Sequence, residues 1–550
     1  MIKIASLFFS LVVIPVASQT MSTMSTGSGA IDPNERLGTV SFPVSCATGT
    51  QAEFNRGVAL LHDFWYEEAR SQFERLAKSD PQCAMAHWGF AMSMFHEIWE
   101  RPGAKTMTAG WEEMQKAQSL TAGTERERGY IAALADFYRP DAREYQARAD
   151  GYSAAMGRLY AQFPDDVDAG AFYALSMLAS EAPDDTSLTQ EHKAMAVLTP
   201  LIEKYPDNPG LVHYVIHACD NPSMAADGLA AANHYGEIAQ SGPHAFHMPG
   251  HIYARLGMWP QDIASQLGSI KASEAATARG ESGVMDEPHS YDFLAYAYLQ
   301  SGQDVRAKAV LDQVGAAIDK IATMSSGSHN RMGMVPYFRV KLPVFYELEM
   351  RNWKAAAALE PVKDSPSDVS TLVYWARAIA HGRLRQSEEA RADLAQFDQL
   401  IAKVRKGPNA YVAEGTGVKI ERGEMVGWTA FASGNEANAL IAMRAAADLQ
   451  DKVGQGEVDI PAREMLADME LEFGHAREAL AEYEVALKLS PNRLNGLYNA
   501  GRAAEAAGDA SKARSYYSAL LNSTNDGKDS ARPEFAHARS FVSAPQLATN

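Results

Sequence analysis

GHAREALAEYEVALKLSPNRLNGLYNAGRAAEAAGDASKARSYY, residues 474–517, carries one pattern twice. Gly474, Ala479 and Tyr483 recur as Gly508, Ala513 and Tyr517, each 34 residues on, and Pro491 separates the copies. Small and apolar residues follow a helical period on both sides of each glycine, and this repeat length is that of a helix–turn–helix unit stacked on its neighbours. Working outward, FNRGVALLHDFWYEEARSQFERLAKSDP (residues 54–81) holds the same mutual positions in Ala69, Phe73 and Pro81, with Gly57 ahead of them in the unit. Pro164 and Pro206 close two more units, while Gly257, Gly302 and Gly434 mark further turns. Alternating Val, Ile and Thr runs of useful length do not occur. The chain therefore reads as all-α, a helix–turn–helix solenoid wound as a right-handed superhelix. Its phase loosens at Gly103–Thr124, Ser325–Val335 and Lys406–Val418, read as irregular insertions, and a bend near 320–345 would give two lobes. The expected organisation is a leader at 1–18, a linker at 19–36, an N-terminal solenoid at 37–323, a C-terminal solenoid at 324–540 and a tail at 541–550.

The pattern resembles the tetratricopeptide repeat, in which small residues let two helices approach and an aromatic ring fills the gap. That resemblance implies that positions 2, 5, 9, 12 and 13 of each unit face the concave groove. With units starting at Pro209, Pro243 and Pro288, these positions are filled by His213 and His217, then His244, His247 and His251, then His289 and Asp292. The pairs His213/His217 and His247/His251 are themselves 34 residues apart, and four-residue spacing puts both rings of a pair on one helix face. Seven candidate ligands on three consecutive helices are expected at one patch of groove. Imidazole and carboxylate without thiolate suit zinc, copper, iron or manganese, and the count leaves room for an open position or two ions. The competing reading is a set of helix-surface histidines with ordinary local hydrogen bonds. Asp220 and Asp286 are expected to orient imidazoles from behind, and Arg255 to clamp an anionic substrate group. His62 and His96 share the frame but lie several units away, so only strong curvature would bring them close. His234, His329, His381, His475 and His537 are scattered and read as incidental. No HExxH, nucleophile elbow, P-loop or dinucleotide fingerprint occurs.

Composition limits the setting. Met-Ile-Lys followed by the apolar run Ile4–Val16 and small residues at Val16-Ala17-Ser18 reads as a secretory signal peptide cleaved near Ser18/Gln19. No later run is long enough to span a membrane, so a periplasmic or secreted protein is expected. A formal net charge of −18 argues against nucleic acid as a partner. Of three cysteines, Cys46 and Cys83 are the natural disulfide in an oxidising compartment, contributing about 4 kcal/mol by loop closure. The alternative is three buried thiols, and Cys219 is expected to be free in either case.

Three stretches, FPVSC…LLHDFWYEEA…DPQCAMAHWGFAMS, HYVIHACDNP and PHAFHMPGHIYARLGMW, resemble a family of exported bacterial tetratricopeptide proteins. HSYDFLAYAYLQSGQ and WKAAAALEP extend the resemblance over roughly residues 38–360. The resemblance implies the fold and implies that the histidines are a family trait, with Cys46, His62, Cys83, His96, Asp220 and Arg255 also matching. It implies no reaction. Two functions compete. One is an interaction scaffold whose groove binds a protein or peptide and whose histidines hold a metal. The other is a metal-dependent enzyme, hydrolase or oxidoreductase, acting on a small-molecule substrate in the groove. Metal storage or delivery is a third.

Overall fold

The computed structural model describes residues 34–544 except 99–100, 121–122, 183–184, 283–286, 324–333, 408–409, 455 and 457. The leader, most of the linker, Asp286, His329 and most of the tail lie outside the described residues. Among the described residues there are 26 α-helices and no β-strand, and successive helices pack on one another along the chain. The chain is a helical solenoid, as the repeat predicts.

The small-residue logic of the repeat is visible in its packing. The Phe73 ring fills the space over Gly57 and Gly89, where an added Cβ would come within 2.6 Å and 2.3 Å of it. Tyr517 does the same over Gly501 at 2.4 Å. Gly474 closes helix Ala462–Phe473 with φ +91°, a left-handed turn that a side chain would strain. Prolines at first helical positions start Pro209–Cys219 and Pro243–Arg255, where a missing N–H costs nothing. Asn208 caps the former by accepting from Leu211 N at 3.1 Å.

One expectation is corrected. The segment read as an insertion at Gly103–Thr124 contains the helix Ala104–Ser119, and Thr124 then forms a capping box for helix Glu125–Tyr138. Gly110 lies against the Tyr138 ring, so this segment packs as a regular helix without the spacing of the other units. Cys46 and Cys83 are disulfide-bonded with Cα atoms 4.8 Å apart, and Cys219 is a buried free thiol. No helix of the described residues is long and apolar enough to cross a membrane.

The solenoid closes on itself at two places. Near the N-terminus, Gly38 N donates to Ile238 O, Thr39 N donates to Asp207 O, and Tyr235 OH donates to Asp63 Oδ1 at 2.8 Å. The first helix pair, Gln51–His62 and Tyr66–Ser79, is thereby held against the helices that carry the histidines. Toward the C-terminus, Trp259 Nε1 donates to Asn492 O, Arg532 pairs with Asp304, and the buried Arg493 pairs with Glu349 and Glu464.

Candidate metal centre

Helix Pro243–Arg255 lies between Pro209–Cys219 and Glu287–Gln300 in the stack, and its histidines are shared between the two. His244, in its first turn, groups with His213 and His217 of the preceding helix. His247 and His251, one and two turns on, group with His289 of the following helix. Within each triad, one ring nitrogen per residue lies within 4.8 Å of the others. The triads abut, with the ring centroids of His244 and His247 5.7 Å apart. The expected single patch of seven ligands is thus two adjacent groups of three imidazoles.

Tautomers follow from the partners behind the rings. His213 Nδ1 lies 2.6 Å from the His62 carbonyl oxygen, which only accepts, so Nδ1 carries the proton. Burial depresses the His213 pKa to about 3, so the ring is neutral. Its Nε2 is then a bare lone pair, buried and without a hydrogen-bond partner. In the second triad, Gln266 Nε2 donates to Asp262 Oδ1, which turns Gln266 Oε1 toward His247 Nδ1 at 2.8 Å. Asp220 Oδ2 accepts from His251 Nδ1 at 2.8 Å. Both Nδ1 atoms are therefore donors, and the two Nε2 atoms meet at 3.0 Å. Two lone pairs at that distance repel unless a proton or a cation lies between them. Nδ1–H held by a carbonyl, amide or carboxylate with Nε2 exposed to the centre is the arrangement of a metal-ligating imidazole.

Several expected residues sit elsewhere. Asp292, read as a ligand, is drawn away by Lys341, whose Nζ lies 2.6 Å from its Oδ2; a buried ammonium requires that counter-ion. Arg255, read as a substrate clamp, is directed at Asp220 instead, with Nε 3.0 Å from Oδ1. Asp220 thus joins Arg255 to His251 and fixes the ring, which is the orienting part expected of it. His62 does reach the site by curvature, through its carbonyl rather than its ring, which contacts Asp168 and Tyr214 at 3.0 Å and 2.9 Å. His96 stacks on Tyr66 and belongs to neither triad. His234, His381 and His475 each face a carboxylate of their own.

Three contributors escaped the sequence reading. Gln266 sets the His247 tautomer from the paired helix Trp259–Ala278. Gly250 makes that approach possible, since a Cβ there would lie 1.9 Å from Gln266 Nε2. A glycine inside a helix and between two histidines was the available signal. Phe64, at φ 52°, lays its ring 4.4 Å from His213, 5.3 Å from His217 and 5.6 Å from His244, shielding the first triad with apolar surface. A bulky residue in the left-handed region is unusual, and here it closes a site.

The two triads can each hold a metal ion through three imidazoles. No family model matches this chain, and no curated protein does. Among solved structures, the human IFIT1 dimer with m7Gppp-AAAA is similar over 84% of this chain and 90% of that one, at 13% identity and a TM-score of 0.33. The human IFIT1 dimer with PPP-AAAA is similar over 84% and 94%, at 12% identity and a TM-score of 0.37.

Proposed function

We propose that this chain is an exported helical-repeat scaffold that holds transition-metal ions between three consecutive units and presents them to a partner in its groove. The observation that carries the reading is the 3.0 Å approach of the His247 and His251 Nε2 atoms, each with its Nδ1–H fixed from behind. His213, His217 and His244 would hold one ion, and His247, His251 and His289 a second. Imidazole ligands without thiolate suit zinc, copper, iron or manganese. Export rests on the leader-like N-terminus and agrees with the Cys46–Cys83 bridge. The partner expected is a protein or extended peptide.

Elemental analysis of the purified full chain tests this reading. Wild type should retain transition metal, and a His213→Ala/His247→Ala double variant should lose most of it. Equal content in both would remove the proposal.

The count of three imidazoles per group favours a second reading, a metal-dependent hydrolase or oxidoreductase. Three protein ligands leave positions for an exogenous molecule, and a metal there would supply Lewis acidity or an electron-transfer centre. Gln266 and Asp220 would then hold the His247 and His251 rings rigid while a small substrate bound. Under the scaffold reading, His247→Ala should lower the melting temperature of the metal-loaded protein by several degrees. Under the enzymatic one it should leave melting nearly unchanged.

A further inference from the structure

A cavity of about 370 Å³ opens well away from the histidines, between helices Met334–Glu349, Ser367–Arg383, Thr416–Ala432 and the segment before helix Ala462–Phe473. Its wall carries three aromatic rings, Tyr337, Phe345 and Trp375, and three carboxylates, Glu421, Glu424 and Asp459. The neighbouring cations are already committed: Lys341 to Asp292, and Arg493 to Glu349 and Glu464. Glu424 is only 2% exposed. One of its oxygens accepts from Trp375 Nε1 at 2.6 Å, and among the described residues the other takes no hydrogen bond. Among the described residues, Glu421 makes no hydrogen bond or ion pair, and the Asp459 carboxylate accepts from neutral donors, Ile460 N and Gln450 Nε2. Burial pushes the Glu421 carboxyl up to about 8 and Glu424 well above its ordinary value, because desolvation dominates and neither carboxyl is paired with a cation.

The same wall already accommodates one ammonium. Lys341 Nζ lies 5.0 Å from the Phe345 ring centroid and 5.8 Å from that of Tyr337, within cation–π range. A single metal ion would not serve all three carboxylates. Among the described residues, the groups whose ligand atoms lie within 4.8 Å of one another are the two histidine triads and Cys46/Asp80/Cys83. An elongated cation with several N–H donors fits the spread of charge better than a point charge does.

We propose that this cavity binds an aliphatic di- or polyamine, with its ammonium groups on Glu421, Glu424 and Asp459 and its methylene chain against Phe345 and Trp375. Binding ionises Glu421 and Glu424, so protons pass from the carboxyls to solvent as the amine enters.

Titration calorimetry of the full chain with putrescine and with spermidine tests this. The expected result is saturable one-site binding that weakens at least tenfold in a Glu421→Gln/Glu424→Gln variant and persists in His213→Ala/His247→Ala. Repeating the wild-type titration near neutral pH in buffers of different ionisation enthalpy should reveal proton release, a readout needing no variant if the substituted chain fails to fold. Absence of saturable heat, unchanged affinity in the Gln variant, binding without proton release, or equal binding of 1,4-butanediol would each overturn the proposal.

Discussion

Gln266 and Gly250 show how narrowly the second triad is set. The Gln266 amide is ordered by Asp262, and its oxygen holds the His247 proton on Nδ1. Gln266→Leu should therefore weaken metal binding about 10–100-fold, the usual cost of losing such an orienting partner. Gly250→Ala should produce a loss in the same direction without altering a ligand, because its Cβ would collide with Gln266. Competition against a chromogenic chelator measures both, and wild-type affinity in Gly250→Ala would show that the amide does not orient His247. At this scale the histidines and Asp220 were legible, and the other supports were not. His213, His217, His247 and His251 announce themselves by sharing the repeat period. Gln266 lies on a different helix, and the His62 carbonyl is a backbone atom whose identity no side chain reveals.

At the scale of elements, the N-terminal cap depends on a covalent tie. Cys46 lies ahead of the first helix pair and Cys83 at the start of helix Ala84–Met92, so the bridge joins the leading strap to the second unit. Reducing it, or replacing Cys46 and Cys83 by Ser, should destabilise the chain by about 2–4 kcal/mol, read from urea unfolding with and without reductant. A midpoint unaffected by reductant would show that the strap is held by packing alone. Helix starts at Pro209 and Pro243 were readable because proline and its neighbours act locally. Helix Ala104–Ser119 was not, because its packing against Tyr138 ignores the spacing of the other units and only the folded chain shows it.

At the scale of the whole molecule, the return of the C-terminal units onto the middle of the chain rests on buried charge. Arg493 is about 1% exposed and faces Glu349 and Glu464 at 2.8 Å and 2.9 Å. Arg493→Met would leave both carboxylates buried without a cation and should cost about 3–5 kcal/mol, while sparing the metal content of the histidine triads. A melt superimposable on wild type would contradict this. The pH dependence of stability has two opposing sources. Burial alone would raise Asp468, but Arg351 and Arg383 overcome it and hold the carboxyl at about 2, below its ordinary 3.8. Its contribution is therefore present above about pH 4 and lost as pH falls through 2, on the order of 2 kcal/mol. Glu421 acts in reverse: with the folded value near 8 and the ordinary one at 4.5, its contribution is complete below 4.5 and is lost as pH rises through 8. Glu424, Asp63, Glu97 and Asp262, all raised by burial, act in the same direction as Glu421. Buried His213, held near 3 against an ordinary 6.5, opposes them only below about pH 6.5, so chelator-treated protein should melt higher at pH 6.5 than at pH 8, and Glu421→Gln should flatten that slope. A higher melting temperature at pH 8 would show that these carboxyls are solvated.

The sequence by itself determined the repeat, and with it the helix pairs and the histidine stripe on three consecutive helices, and it singled out the cysteine pair. Each of these follows from spacing along one helix or from one helix to its neighbour, where periodicity converts directly into geometry. Tertiary structure alone decided that six of the seven candidates divide into two triads, that the seventh, Asp292, goes to Lys341, and that the His62 carbonyl supports His213. Those outcomes depend on how much the stack curves and which distant helices meet, the cumulative result of small packing rotations along many units. No single local spacing encodes that sum.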